Sequence, residues 1–208
     1  MIMTPRTFMA GTIKTHEGGL SMNANDNGNW FDKARYKAGL GQKRGAGTLV
    51  GSKYGVTAYA LASFTNDNDI LPWEMAALTF DTAVDIAEQI YVKAPRFNLL
   101  IPSRVTLSII DKGWGSGPGQ ATKLLQRLLG MKNVDGKMGP ATAAAYEAWH
   151  ARVGEEEAAR LWAAERIKFD TMLATNDGPK DPDRIFLKGW NNRSNSFLPG
   201  TPWWKAAA

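Results

Sequence analysis

Apolar and polar positions follow different rhythms along this chain. From Phe8 to His16, the positions Phe8, Met9, Thr12, Ile13 and His16 recur at three- and four-residue spacing, which predicts an amphipathic helix stopped by Gly18 and Gly19. Between Met22 and Gly55 that rhythm is lost. Asn, Asp, Gly and basic residues predominate there around short β-prone pieces, Thr48-Leu49-Val50 and Tyr54-Gly55-Val56, and the reading is an irregular, glycine-rich β-hairpin region. Helical periodicity returns at "VTAYALASF", entered at Thr57 as a cap, and at "LPWEMAALTFDTAVDIAEQIYVKAP", a long helical stretch open to interruption that ends before Pro95.

After a connector containing Pro95, Asn98 and Pro102, "SRVTLSIIDKGWGSGPGQATKLLQRLLGM" predicts two helical segments separated by Gly113 to Gly119. Leu124, Leu125, Leu128 and Leu129 share a face of the second. "VDGKMGP" reads as a tight turn, and Pro140 sits near the first turn of the helix that follows. The acids of "EEEAARLWAAERIKFDTMLA" suit a helix N-terminus, and "DPDRIFLKGWNNRSNSFL" reads as a closing helix that Trp190, Asn191 and Arg193 would pin. The order is helix, small β-region, then many helices. That predicts an α+β class with a helical majority.

Composition narrows the picture. The 208 residues are 44% hydrophobic and 22% charged, enough to bury a sizeable core in one unit spanning 1–208, subdivided at 1–94 and 95–208 with no Gly/Ser linker between. No run of eighteen apolar residues occurs, and the start lacks the layout of a secretory signal, so neither stable membrane insertion nor an export device is expected. Zero cysteines exclude disulfides and thiolate ligands, while two histidines are too few for a zinc cluster; no metal or other cofactor is expected. The formal charge of +5 favours approach to polyanions. Lys33, Arg35, Lys37, Lys43 and Arg44 crowd the segment 30–47, which suits either a polymer backbone or a solvated hairpin.

Candidate chemistry rests on carboxylates. Glycoside hydrolysis needs a proton donor to the leaving oxygen and a second carboxylate for the opposite face or the developing positive charge. Glu17 stands at the C-terminal end of the first predicted helix, where the carbonyl dipoles disfavour its ionised form and help it keep a proton. Asp26 follows in a polar Asn/Gly loop, where hydrogen bonds and water would keep it ionised. The two environments push the carboxylates towards different tasks. Trp30 either stacks on a sugar face or packs the hairpin. Asp111 either caps a helix before a glycine-rich turn or lines a groove. "GSGPG" lacks the Gly-Lys-Ser/Thr ending of a phosphate loop.

Six ordered landmarks go further than any single motif. "HEGGL", "NANDNGNW", "VGSKYGVTAYAL", "DKGWGSGPGQATKLLQRLLG", "VDGKMGPATAAA" and "FLKGWNNR" together resemble the glycoside hydrolase family 108 N-acetylmuramidases with their peptidoglycan-binding-type segment. The resemblance covers roughly residues 8–195 and implies a lysozyme-like, two-lobed fold. It implies that Glu17 is the general acid, Asp26 the second carboxylate, and Ser52 the hydroxyl where relatives usually carry threonine. Leu20 replaces the usual aromatic. Asp32, in the stretch between Asp26 and Ser52, is a reserve for the second carboxylate. Trp30, Tyr54 and Asp111 are the expected substrate-binding residues.

The implied reaction is hydrolysis of the β-1,4 bond between N-acetylmuramic acid and N-acetylglucosamine in bacterial peptidoglycan. The implied setting is a monomeric phage endolysin, held in the host cytoplasm until a separate holin releases it to the cell wall. Two other classes remain open: a non-catalytic wall-binding or scaffolding module, and a basic nucleic-acid binder. Both carboxylates are present against the first; modest charge and the lack of a nucleic-acid motif stand against the second.

Overall fold

The structure, a computed structural model, describes residues 2–16, 18–176, 178 and 183–207. Glu17 lies outside the described residues. The class is α+β and mostly helical, with two small antiparallel sheets. Contacts divide the chain into two compact units. One is Pro5–Val92; the other takes Lys93 onward together with the first residues, and Met3 there donates its amide to the Ala207 carbonyl.

In the first unit, helix α1 (Pro5–His16) buries Phe8, Met9, Thr12 and Ile13, the face its spacing predicts. It packs on α5 (Phe80–Glu88), and Arg6 pairs with Asp85 and Glu88 across their exposed edges. The β-region holds two separate ladders. Strands β1 (Trp30–Phe31) and β2 (Thr48–Leu49) pair with Trp30 opposite Leu49, and β3 (Ser52–Lys53) and β4 (Val56–Thr57) pair with Ser52 opposite Thr57. The turn joining β3 to β4 is Tyr54-Gly55, both with positive φ, as a two-residue hairpin of matching twist requires.

Between β1 and β2 the expected irregular hairpin contains a short helix, α2 (Lys33–Lys37), because the Asp32 side chain accepts the Arg35 amide and starts it. The rings of Phe31, Tyr36 and Tyr59 then meet with centroids 5.0–5.7 Å apart. Thr57 caps α3 (Ala58–Thr65), as its position before the apolar run predicts. The long helical stretch is interrupted. Pro72–Ala77 forms α4, Leu78 leaves the helical region, and Thr79 caps α5 by accepting the Thr82 amide. α5 ends in a π-helical turn, Gln89–Lys93. Phe31, Val50, Val56, Leu61, Ile70, Met75 and Ile86 form the core of this unit.

The second unit is organised around α6 (Arg104–Ser116), buried on every side from Val105 to Gly113. Around it lie α7 (Pro118–Leu128), α8 (Pro140–Val153), α9 (Glu155–Leu173), α10 (Arg184–Asn195) and the short α11 (Pro202–Ala206). The expected separation over Gly113 to Gly119 is narrower than its glycines suggest. Only Gly117, at φ +85°, breaks the helix, and Pro118 starts the next. Gly113 stays helical and serves packing: a Cβ there would meet the Phe97 ring at 3.0 Å. The buried Gln126 side chain accepts the Gly136 amide and donates to Asp135 and the Lys137 carbonyl, which holds the "VDGKMGP" turn.

Being central, α6 must bury polar residues, and each meets a partner. Ser103 and Thr106 share hydrogen bonds with the Tyr146 hydroxyl, whose pKa burial pushes up to about 12 despite those bonds. Ser108 accepts from Trp162 Nε1 and Arg166, Asp111 from Arg166 and Arg193, and Asp170 accepts from Lys112. Ser108, Asp111 and Lys112 at one helical spacing face Trp162, Arg166 and Asp170 at another, so α6 and α9 meet along matched polar rungs. Glu155 also closes the start of α6, accepting the Arg104 amide at 2.7 Å.

Candidate active site

The segment that follows Glu17 in sequence is tied to the β3–β4 hairpin. Tyr54 donates its amide to the Gly18 carbonyl at 3.1 Å, and Ser21 and Ser52 exchange both backbone bonds at 2.8 and 3.0 Å. Gly51 makes this approach possible. Its φ is +89°, and an added Cβ would lie 2.5 Å from the Met22 sulfur and 2.7 Å from the Ser21 carbonyl oxygen.

The chain then turns through Asp26. Its Oδ1 accepts the Gly28 amide at 2.8 Å and caps a 3-10 turn over Asn27–Asn29, while the residue itself is exposed. Gly28 lies against Thr57: a Cβ there would be 3.1 Å from Thr57 Cγ2 and 3.3 Å from Asp26 Oδ1. The Asp26 turn, Ser52 and the segment after Glu17 thus share one neighbourhood.

What holds that turn is Asn29, which the sequence reading does not single out. It is fully buried; its Nδ2 donates to the Asn23 carbonyl at 3.0 Å, and its own carbonyl accepts the Val50 and Gly51 amides, each at 2.9 Å. The segment 30–47 reaches back to the same turn. Gln42 donates to the Gly28 and Trp30 carbonyls at 2.8 and 3.0 Å, and the Arg44 amide donates to Asn27 Oδ1. A buried Asn inside an otherwise exposed Asn/Gly loop has no periodicity to reveal it.

The Trp30 indole donates to the Ala24 carbonyl at 3.0 Å, tying strand β1 to the loop that bears Asp26. Tyr54 turns its ring edge-on to Phe80 at 5.8 Å between centroids, and Lys53 Nζ stands 5.4 Å from the same ring. Asp32 uses Oδ1 to cap α2, and its carbonyl accepts the Tyr59 hydroxyl. Burial, then the nearby Asp32 charge, raises the pKa of that hydroxyl. Gly47 covers Asp32 closely, because a side chain there would collide with the Phe31 and Asp32 backbone.

Asp111 belongs to the other unit. It lies within α6 rather than ahead of a turn, 2% exposed, since the helix continues through Gly113 and Gly115. Burial alone would raise its pKa, but the Arg166 and Arg193 guanidiniums outweigh this and hold it below the ordinary carboxylate value. Burial lowers the Lys112 pKa, with the Asp170 bond opposing.

Residues 10–117 match the family described as glycosyl hydrolase 108. The chain belongs to the glycosyl hydrolase 108 family. Residues 120–195 match a second family, described as a predicted peptidoglycan domain, so this glycosyl hydrolase 108 protein carries a peptidoglycan-binding-type segment. Among solved structures, SagA of Brucella abortus is similar over 92% of this chain and 95% of that one, with 21% identity and a TM-score of 0.61. At that identity the likeness concerns the fold. None of the curated proteins matches the chain.

Proposed function

We propose that this glycoside hydrolase cleaves the β-1,4 bond between N-acetylmuramic acid and N-acetylglucosamine in peptidoglycan, with Glu17 as general acid and Asp26 as second carboxylate. The observation that carries the reading is the mounting of Asp26. An exposed carboxylate stands on a turn fixed by Asn29 and Gln42, beside the hairpin that the chain after Glu17 joins. Fixing a carboxylate before substrate arrives is how a site avoids paying for reorganisation during the reaction.

Both Asp26 and Asp32 cap a turn through Oδ1, and Asp26 is preferred because it is exposed, whereas Asp32 is half-buried with its backbone covered by Gly47. Glu17 follows the last residue of α1 in the sequence, and a carboxyl after a helix C-terminus suits the acid role, since helix C-terminal carbonyls favour its protonated form. Asp26 serves either by activating water or by stabilising an oxocarbenium-like transition state. Ser52, half-buried beside the Ser21 segment, orients water or a substrate hydroxyl. The setting we infer is a phage endolysin, a monomer kept in the host cytoplasm until a holin admits it to the wall.

The experiment is turbidity clearing of purified peptidoglycan, with mass analysis of the released fragments. Glu17→Gln should lose about 10²–10⁴-fold of the rate, the range of a lost acid catalyst, and Asp26→Asn should fall comparably. Fragments should end in reducing muramic acid. Reducing glucosamine ends, or equal clearing by Glu17→Gln, would overturn the assignment; binding without clearing by wild type would make the chain a wall-binding module. Clearing should also weaken as salt rises, because an excess of basic residues meets an anionic polymer.

A further inference from the structure

The helical unit contains a cavity of about 400 Å³ walled by α6, α9 and α10. Asp111, Lys112, Arg166 and Asp170, all four buried, line it together with Arg193 and Trp190, an unusual concentration of buried charge for the interior of a helical bundle. Pairing among these groups leaves donors over. Arg166, 2% exposed, spends Nη1 on Ser108 and Nη2 on Asp111, and its buried Nε–H has no partner among the described residues. Lys112, with three ammonium protons, makes one hydrogen bond among the described residues, to Asp170, and otherwise stands 4.8 Å over the Phe169 ring.

Buried polar groups are nearly always satisfied, and buried cations with spare donors are costly to keep. Pinning the helices together does not require that surplus: Trp162 bonded to Ser108 and the apolar faces already do so. Lys112, Arg166 and Arg193 outnumber the carboxylates of Asp111 and Asp170 in the lining, and with the Trp190 indole among the same walls the cavity suits a small acid with apolar substituents.

We propose that this cavity binds a carboxylate of the peptidoglycan stem peptide, with Lys112 and Arg166 receiving the carboxylate and Trp190 covering the adjoining aliphatic side chain. The proposal rests on peptidoglycan being the substrate. It assigns the helical unit a task different from glycan cleavage: it reads the peptide while the first unit cuts the sugar chain. Phosphate and other anions share the charge but not the apolar part.

Gly115 provides a test that leaves the charges in place. It lines the cavity within α6, and a Cβ there would meet nothing within 4 Å. Gly115→Leu therefore fills space while favouring helix, whereas Gly115→Ala leaves the cavity open. The full chain is titrated calorimetrically with free L-alanyl-γ-D-glutamyl-meso-diaminopimelate, with the same peptide carrying carboxamides, with inorganic phosphate and with a tetramer of N-acetylglucosamine.

The acidic peptide should bind wild type and Gly115→Ala. Binding should weaken at least about tenfold in Gly115→Leu and with the carboxamide peptide, which corresponds to about 1.4 kcal/mol. The thermal midpoint of Gly115→Leu should be unchanged or higher. Lack of saturation by about 1 mM peptide, equal binding of phosphate, or full binding by Gly115→Leu would each overturn the proposal.

Release of reducing ends from peptide-free glycan, measured on the same preparations, separates this from the reaction itself. Gly115→Leu should cleave that glycan like wild type. If wild type cleaves nothing, the glycanase reading fails whatever the peptide does; if it cleaves but binds no peptide, the cavity assignment alone fails.

Discussion

Asp111→Asn removes one negative charge from the middle of α6 and leaves its shape almost unchanged. In the native chain the Asp111 carboxylate accepts from Arg166 at 2.8 Å and from Arg193 at 2.7 and 3.1 Å while being 2% exposed. The variant leaves the Arg166 guanidinium buried without its counter-charge. Removing one member of a buried ion pair costs about 3–5 kcal/mol, and the retained amide oxygen sets the expectation near the lower end. For a chain of this size, about 3 kcal/mol lowers the melting midpoint by roughly 6–12 °C.

Circular dichroism melts of wild type and variant over a pH series measure this directly. Asp111 has a depressed native pKa, so its ionised form stabilises the fold fully above the unfolded carboxylate value of about 3.9. That stabilisation is lost as pH falls through the lower, native value. The gap between wild type and variant should therefore be widest near neutrality and close in acid. A drop under about 2 °C at pH 7, or a gap of constant size down to low pH, would refute the claim that Asp111 works as a buried counter-ion.

Gly51→Ala forces a side chain against Met22 and Ser21 at positive φ, so it should cost about 2 kcal/mol in urea unfolding and cut hydrolysis by more than about tenfold; native activity in the variant would show that the Ser21–Ser52 ladder does not position the site. Asn29→Ala removes the donor that holds the Asn23 carbonyl, and steady-state kinetics should show a fall in kcat with KM nearly kept, because the Asp26 turn loosens while substrate contacts remain; a change confined to KM would count against a positioning role. A chain ended at residue 117 keeps α6 but deletes every helix from α7 onward, and it should aggregate, whereas a soluble fragment with cooperative unfolding would refute the inference that α6 needs those helices to fold.

Periodicity made much of the fold legible. Phe8, Met9, Thr12 and Ile13 are buried where their spacing places them, and Thr57 caps the helix it precedes, because both signals are local. Glycine was harder to read. Gly113 and Gly117 look alike in sequence, yet one makes room for Phe97 and the other breaks the helix, a difference set by a neighbour sixteen residues upstream in the first case. The Asp26 neighbourhood is legible through ordered landmarks, while Asn29 and Gln42 are not, because their bonds run to carbonyls six and fourteen residues away in loops that follow no helical or strand period. Asp111 carried a polar signal but no sign of its partners, which lie on helices more than fifty residues away.

The two family matches meet close to Gly117, but the packing does not divide there. Helix α6 falls inside the glycosyl hydrolase 108 match, and its buried polar side chains take their partners from Tyr146, Trp162, Arg166, Asp170 and Arg193, all inside the peptidoglycan-domain match. A helix with Asp111 and Lys112 on its faces cannot stand in water as a core helix, nor in an apolar core without those counter-charges. The segment after residue 120 therefore completes a helix that the hydrolase match already includes. The boundary between the two similarity matches falls between residues 117 and 120, whereas the boundary between the two compact units falls at Val92–Lys93, ahead of α6.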